Sequence, residues 1–137
     1  MSERKYLPTL AELIDRLSIV QLKEIFIPEN KAAYREERGL IEHDIDLLLA
    51  DKKLSAKDVR AVMVIMLANR TIWLNESEAR KGGDSQDKLL KFTHSINGVR
   101  ATAKNILSKS AGQRVDLKVD CFAASLVKEF GDWDVFS

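Results

Sequence analysis

The sequence has very few of the residues that crosslink small proteins or bind transition metals. Its 137 residues include one cysteine, Cys121, and two histidines. A single cysteine cannot form an intramolecular disulfide, and this usage is typical of proteins from a reducing cytoplasm. Two isolated histidines and one cysteine also do not make a transition-metal site. We therefore expect a cytoplasmic protein that is held together by its hydrophobic core.

Long apolar runs and an excess of either charge are also absent. The opening segment MSERKYLPT lacks the apolar centre of a signal peptide, and the longest apolar run, 61–68, is too short to span a bilayer. The chain has 22 basic and 21 acidic residues, a net charge of +1. A dedicated nucleic-acid-binding protein would show a basic excess. Neither a membrane nor a nucleic acid is therefore an expected partner.

No glycine-rich phosphate loop and no serine or cysteine triad arrangement is visible in the sequence. The composition, 45% hydrophobic and 31% charged, is ordinary for a soluble globular protein. The length suits one domain with its own core. We predict a single helical domain over 1–137, with a tail at 131–137 that is either mobile or docked.

Hydrophobic periodicity predicts an all-α bundle of four long helices plus a short C-terminal helix. The first helix begins with a capping box, Thr9 with Glu12, and runs to Phe26. It is apolar on two nearly opposite sides, so we expect it to be buried on most of its circumference. Pro28 predicts a break, after which a second helix runs over about 29–50.

A second capping pair, Ser55 with Asp58, predicts the start of a third helix that runs to about residue 81. Its segment 59–69 is apolar on almost every side, which predicts a position at the centre of the bundle. The fourth helix begins near 84–87, and its apolar spacing continues through Gly98. In residues 115–121, apolar and charged side chains alternate with the period of a strand. This segment is interpreted as a connector, a strand or the start of the last helix, and the three alternatives stay open.

Three polar residues fall in apolar stripes: Asp15, Asn69 and Arg100. Each has an ordinary explanation as an interhelical salt bridge or a satisfied core amide. A buried guanidinium, however, has five donors that all need acceptors, so we predict that Asp15 and Arg100 belong to one network. A bundle that gathers these groups can hold a polar pocket for a small polar or phosphorylated ligand.

Two further carboxylates, Glu37 and Asp44, lie seven residues apart near the core edge of the second helix. Together with Asp15 they are candidate ligands for a divalent cation, because hard cations prefer clustered oxygen atoms. The alternative is that they lie at the wet margin of an amphipathic stripe.

The segments ELIDRLSIVQLK (12–23) and HSINGVRATAKNIL (94–107) resemble a family of small uncharacterised helical proteins of bacteria and tailed phages. That family pairs a Glu-Leu-hydrophobic-Asp-basic opening with a later Asn-x-x-Arg helix. Gly98 departs from its pattern, which more often has an acidic residue there. The resemblance implies a helical fold and, for a phage protein, action on a pathway in the host cytoplasm, but no activity. The matching positions are Glu12, Asp15, Arg16, Ser18, Lys23, Asn97 and Arg100.

These observations favour a homo-oligomeric binding protein without a cofactor, which takes a small ligand such as a nucleotide through Asp15, Asn69, Asn97 and Arg100. The alternative is a magnesium-dependent nucleoside phosphate hydrolase that uses Glu37 and Asp44. The sequence lacks the dense acidic repeat that such all-helical enzymes usually show, so we favour a protein without catalytic activity. A third reading is a protein-interaction factor that uses the tail DWDVFS.

Overall fold

The computed structural model describes residues 6–80 and 86–115, without the side chains of 78–80 and 86–95. The described residues form four α-helices and contain no strand, which confirms the all-α prediction. The predicted C-terminal helix, the tail at 131–137 and most of segment 115–121 lie outside them. None of the described helices combines the length and apolar character needed to cross a membrane. The helices are α1 (Leu10–Phe26), α2 (Lys31–Leu49), α3 (Ala56–Arg80) and α4 (Gln86–Ser110).

Helix α1 contacts all three other helices, whereas the described backbone of α2 does not come close to that of α3 or α4. The reason is its broad apolar surface. One part, which includes Leu10 and Ile14, joins the main core with α3 and α4. An adjoining part, with Leu13 and Val20, packs against Ile41 of α2. Leu22, on the nearly opposite side, is buried as well, which confirms that α1 is buried on most of its circumference, although its last residue on that side, Phe26, is exposed.

Both predicted helix starts are present. The Thr9 hydroxyl accepts a hydrogen bond from the Glu12 amide at 3.2 Å, and the Glu12 carboxylate accepts one from the Thr9 amide at 3.4 Å. The Ser55 hydroxyl likewise accepts from the Asp58 amide at 3.2 Å, while the Asp58 carboxylate accepts from the Ser55 amide at 2.9 Å. Such reciprocal bonds satisfy backbone donors that a helix start leaves unpaired.

The predicted break at Pro28 is a short 3-10 turn, Pro28–Asn30, between α1 and α2. Across this turn the two helices are joined by Arg38, whose Nε lies 2.8 Å from a carboxylate oxygen of Glu24. The hydrogen bond from the Arg38 guanidinium lowers the pKa of Glu24. The hairpin formed by α1 and α2 is therefore held by an ion pair at its rim and by apolar contacts inside.

The prediction that segment 59–69 lies at the centre of the bundle is wrong for one of its faces. Val64 and Ile65 are buried, but Met63 is 67% exposed and Val59 and Leu67 are also exposed. Helix α3 packs on α4 and α1 from one side only. When a helix is apolar on every face, its sequence does not show which faces pack against other helices.

Helix α4 continues through Gly98, as predicted, and ends at Ser110, two residues before Gly112, whose φ is +66°. The Gln113 amide donates to the Ser108 carbonyl at 2.8 Å, and the Gly112 amide donates to the Lys109 carbonyl at 3.1 Å. This pair of bonds is a Schellman motif, which needs a left-handed residue at the position of Gly112. The Gln113 side-chain oxygen accepts from the Leu10 amide at 2.8 Å, so the end of α4 is tied to the start of α1.

Asp58 is a buried carboxylate, 2% exposed, where the start of α3 meets the end of α4. Its Oδ2 accepts hydrogen bonds from the Ser55 amide, the Ser55 hydroxyl and the Ser110 hydroxyl, each at 2.9 Å. Burial raises the pKa of Asp58, but these hydrogen bonds outweigh burial, and the net pKa is lowered. The carboxylate is thus kept ionised inside the fold.

Candidate functional site

The amide of Asn69, only 3% exposed, joins α1 to α4 through the polar centre of the bundle. Its Nδ2 donates to Asp15 Oδ1 at 2.7 Å and to Ser18 Oγ at 2.5 Å. Its Oδ1 accepts from Arg100 Nη1 at 2.8 Å. Both protons of Nδ2 therefore meet oxygen atoms, while its oxygen meets a cation. Only this orientation of the amide satisfies all three neighbours.

Arg100 is positioned by two neutral amides. Its Nη1 donates to Asn69, and its Nη2 donates to the Asn97 side-chain oxygen, one turn earlier on α4, at 2.7 Å. No carboxylate of the described residues forms an ion pair with Arg100. A guanidinium held by amides keeps its full positive charge and remaining donors for another acceptor.

The structure also places two residues in this network that the stripe argument missed. Lys104 Nζ lies 3.5 Å from Asp15 Oδ2, and the Ser18 hydroxyl donates to the Asp15 carbonyl at 2.8 Å. Lys104 lies one turn beyond Arg100, on the face that also carries Asn97, so its spacing was available as a signal. Ser18 entered only through the family resemblance. The chain of contacts is Lys104, Asp15, Asn69, Arg100 and Asn97.

A cavity of about 370 Å³ lies beside this network, between α1, α3 and α4. Two larger cavities, of about 470 and 460 Å³, are bordered by neither Asn69 nor Arg100. We call the smaller one the Arg100 cavity, and its volume is within the range of small-molecule sites. The described residues that border it are Ile19, Leu22, Lys23, Ile27, Asn69, Ile72, Trp73, Glu76, Ser77 and Arg100.

Charged and aromatic side chains border the Arg100 cavity. Among the described residues, the charged ones are two cations, Arg100 and Lys23, and one carboxylate, Glu76. Trp73 borders it as well and is stacked on Phe26, with ring centroids 6.0 Å apart and an angle of 29° between the rings. Phe26 is in turn 4.7 Å from the guanidinium carbon of Arg70. Trp73 is half-buried.

The predicted metal ligands do not assemble. Glu37 is paired with Arg16 at 3.0 Å, and Asp44 is an exposed residue whose Oδ1 lies 3.2 Å from His43. Asp15 is engaged by Asn69 and Lys104. Over residues 6–80 and 86–115, no three His, Cys, Asp or Glu side chains group closely enough to hold a metal ion. Glu37 and Asp44 thus lie at the wet margin of α2, the alternative to a cation site, and the magnesium site stays a prediction.

Comparisons with protein-family models, with curated proteins and with solved structures found no match to this chain. The resemblance to small helical proteins of bacteria and tailed phages therefore stays a prediction, and the function has to be argued from the site itself.

Proposed function

We propose that the protein binds a small phosphorylated ligand, such as a nucleotide, in the Arg100 cavity. The observation that carries this proposal is how Arg100 is hydrogen-bonded and where it lies. Its described partners are two amide oxygens, and it borders a cavity of ligand size together with Lys23. A planar, forked guanidinium matches phosphate and carboxylate oxygens, and the second cation, Lys23, favours the more highly charged phosphate.

The remaining polar groups support binding by fixing Arg100 before the ligand arrives. Asn69 is itself held by Asp15 and Ser18, so the guanidinium plane is set by contacts from three helices. Preorganisation of this kind lowers the entropic cost of binding. It also accounts for the polar residues in the apolar stripes, since Asp15 holds Asn69 and Asn69 orients the cation of Arg100.

The hydrolase alternative needs a magnesium site, and the described residues offer no cluster of carboxylates beside Arg100. Glu76 is the one described carboxylate that borders the cavity. The binding proposal therefore needs neither metal nor turnover, and the ligand is expected to leave the protein chemically unchanged.

The test is a thermal-shift and calorimetric screen of phosphorylated compounds, with magnesium and with chelator, followed by recovery of the ligand. We expect binding to persist in chelator and the ligand to be recovered intact. Arg100→Lys keeps the charge but loses the forked contact, so it should weaken binding about tenfold or more. Arg16→Lys, in an exposed ion pair outside the cavity, is the matched control and should bind normally.

Two outcomes would contradict the proposal. Conversion of the compound in the presence of magnesium would favour the hydrolase. No stabilisation by any phosphorylated compound would leave a protein-interaction role as the better reading. Self-association also stays a prediction, and light scattering with and without the bound compound measures it directly.

A further inference from the structure

The order of side chains along α3 suggests which phosphorylated ligand the Arg100 cavity selects. Asn69, Trp73 and Glu76 all border the cavity and follow one another on one face of the helix. Asn69 and Glu76 are seven residues apart, which is about 10 Å along a helix at 1.5 Å per residue. Along α3, Asn69, which holds Arg100, is thus separated from Glu76 by the indole of Trp73, while the second cation, Lys23, borders the cavity from α1.

This arrangement matches the three parts of a nucleoside monophosphate. The phosphate would meet Arg100, the base would stack on Trp73, and the outer edge of the base would meet Glu76. Trp73 is already supported by Phe26, which does not border the cavity. An indole held by a neighbouring ring is a preformed platform for a planar base, since stacking on an aromatic ring strengthens binding about five- to a hundredfold per base.

Glu76 decides between bases, because an ionised carboxylate only accepts hydrogen bonds. It is exposed, and no described residue hydrogen-bonds to it or pairs with it. Guanine presents two adjacent donors on its outer edge, the ring N1–H and the 2-amino group, which fit the two oxygens of a carboxylate. Adenine presents one donor beside an unprotonated ring nitrogen, whose lone pair would face the carboxylate oxygen.

We propose that the Arg100 cavity prefers a guanine nucleotide, with Trp73 stacking on the base and Glu76 accepting from its N1–H and 2-amino groups. The proposal rests on the binding function proposed above and specifies the ligand of the same site.

Calorimetry with four compounds separates the contributions: guanosine, inosine and adenosine monophosphates, and ribose 5-phosphate. Inosine keeps the N1–H of guanine but lacks the 2-amino group. We expect guanosine monophosphate to bind about ten to a hundred times more tightly than the adenosine compound, with inosine between them, since two hydrogen bonds are lost and each is worth about three- to tenfold at an exposed carboxylate. Ribose 5-phosphate should bind weakest, because it has no ring to stack.

Two variants locate the preference. Glu76→Gln should bring guanosine and adenosine monophosphates to within about threefold of each other and leave ribose 5-phosphate unaffected. Glu36→Gln, at an exposed position of α2 outside the cavity, is the control and should keep the preference. Trp73→Leu should weaken all three nucleotides about tenfold or more but not ribose 5-phosphate, and its circular dichroism confirms that the helices remain.

The outcomes separate this inference from the one that it rests on. Equal affinities for guanosine and adenosine monophosphates would overturn the role of Glu76 while leaving phosphate binding at Arg100 intact. Equal affinities for ribose 5-phosphate and the nucleotides would overturn the role of Trp73. If none of the four compounds binds, the proposed function fails, and the guanine preference fails with it.

Discussion

Replacing Asn69 with alanine should destabilise the protein strongly, because one buried amide satisfies three neighbours. Two of its hydrogen bonds involve charged partners, Asp15 and Arg100, and the third involves the Ser18 hydroxyl. Bonds of these kinds are worth about 1.5 to 3 and about 1 kcal/mol respectively, or about 4 to 7 kcal/mol together. The Asp15 side chain is 14% exposed and keeps Lys104, so water and that cation offset part of the loss. We expect the free energy of unfolding to fall by about 2 to 4 kcal/mol.

The same substitution at Asn75 is the matched control. Asn75 lies on the same helix, and its Nδ2 is buried without a hydrogen-bond partner among the described residues. Asn75→Ala gains the same helix propensity but loses no described bond, so its effect should be within about 0.5 kcal/mol. Urea titrations followed by circular dichroism measure both variants. If the losses in unfolding free energy caused by Asn69→Ala and Asn75→Ala differ by less than about 1 kcal/mol, the hydrogen bonds of Asn69 do not stabilise the fold as argued.

Two glycines and one carboxylate allow further tests. Gly39, inside α2, has open space around its Cα, so Gly39→Ala should stabilise the protein by about 0.5 to 1 kcal/mol. Gly112→Ala should destabilise it by about 1 to 2 kcal/mol, because φ is +66° there although space is available. Urea titrations showing the same sign for both glycine variants would refute this contrast. The lowered pKa of Asp58 means that its contribution is complete above its unfolded pKa, near 4, and is lost as pH falls through its folded pKa. The difference in unfolding free energy between wild type and Asp58→Asn should therefore shrink below about pH 4, and a constant difference down to pH 2.5 would contradict the ionised state of Asp58.

Local features of this fold could be predicted, since local rules decide them. The capping boxes at Thr9 and Ser55 depend on residues three positions apart, and both are present. The exposed face of α3 at Met63 could not be predicted, because a helix that is apolar all round carries no information about its neighbours. Which faces are buried is decided by tertiary packing.

In the candidate site, too, some features could be predicted from the sequence and others depend on tertiary packing. Asp15, Asn69 and Arg100 were recognisable because each places a polar group in an apolar stripe, and they do lie in one network. Lys104 shares a face of α4 with Asn97, but this spacing alone does not single it out, since an isolated lysine is usually solvated. The ion pair of Glu37 could not be predicted from its sequence neighbours, because its partner, Arg16, lies on another helix. The Arg100 cavity itself depends on how side chains from three helices pack, and no single stripe predicts it.

The position of α1 as the helix that contacts all others has a consequence for the order in which the chain folds. Helix α2 follows it directly, so the hairpin of α1 and α2 requires only contacts close in sequence, and such contacts form fast. The hairpin of α3 and α4 is local in the same sense. The bonds that join the two hairpins, among them Asn69 with Asp15 and the Leu10 amide with Gln113, are distant in sequence. Because α1 is synthesised before α3 and α4, we expect its side with Asp15 and Ser18 to lack these partners at first, and the carboxylate and hydroxyl to keep that surface hydrated until α3 and α4 are made.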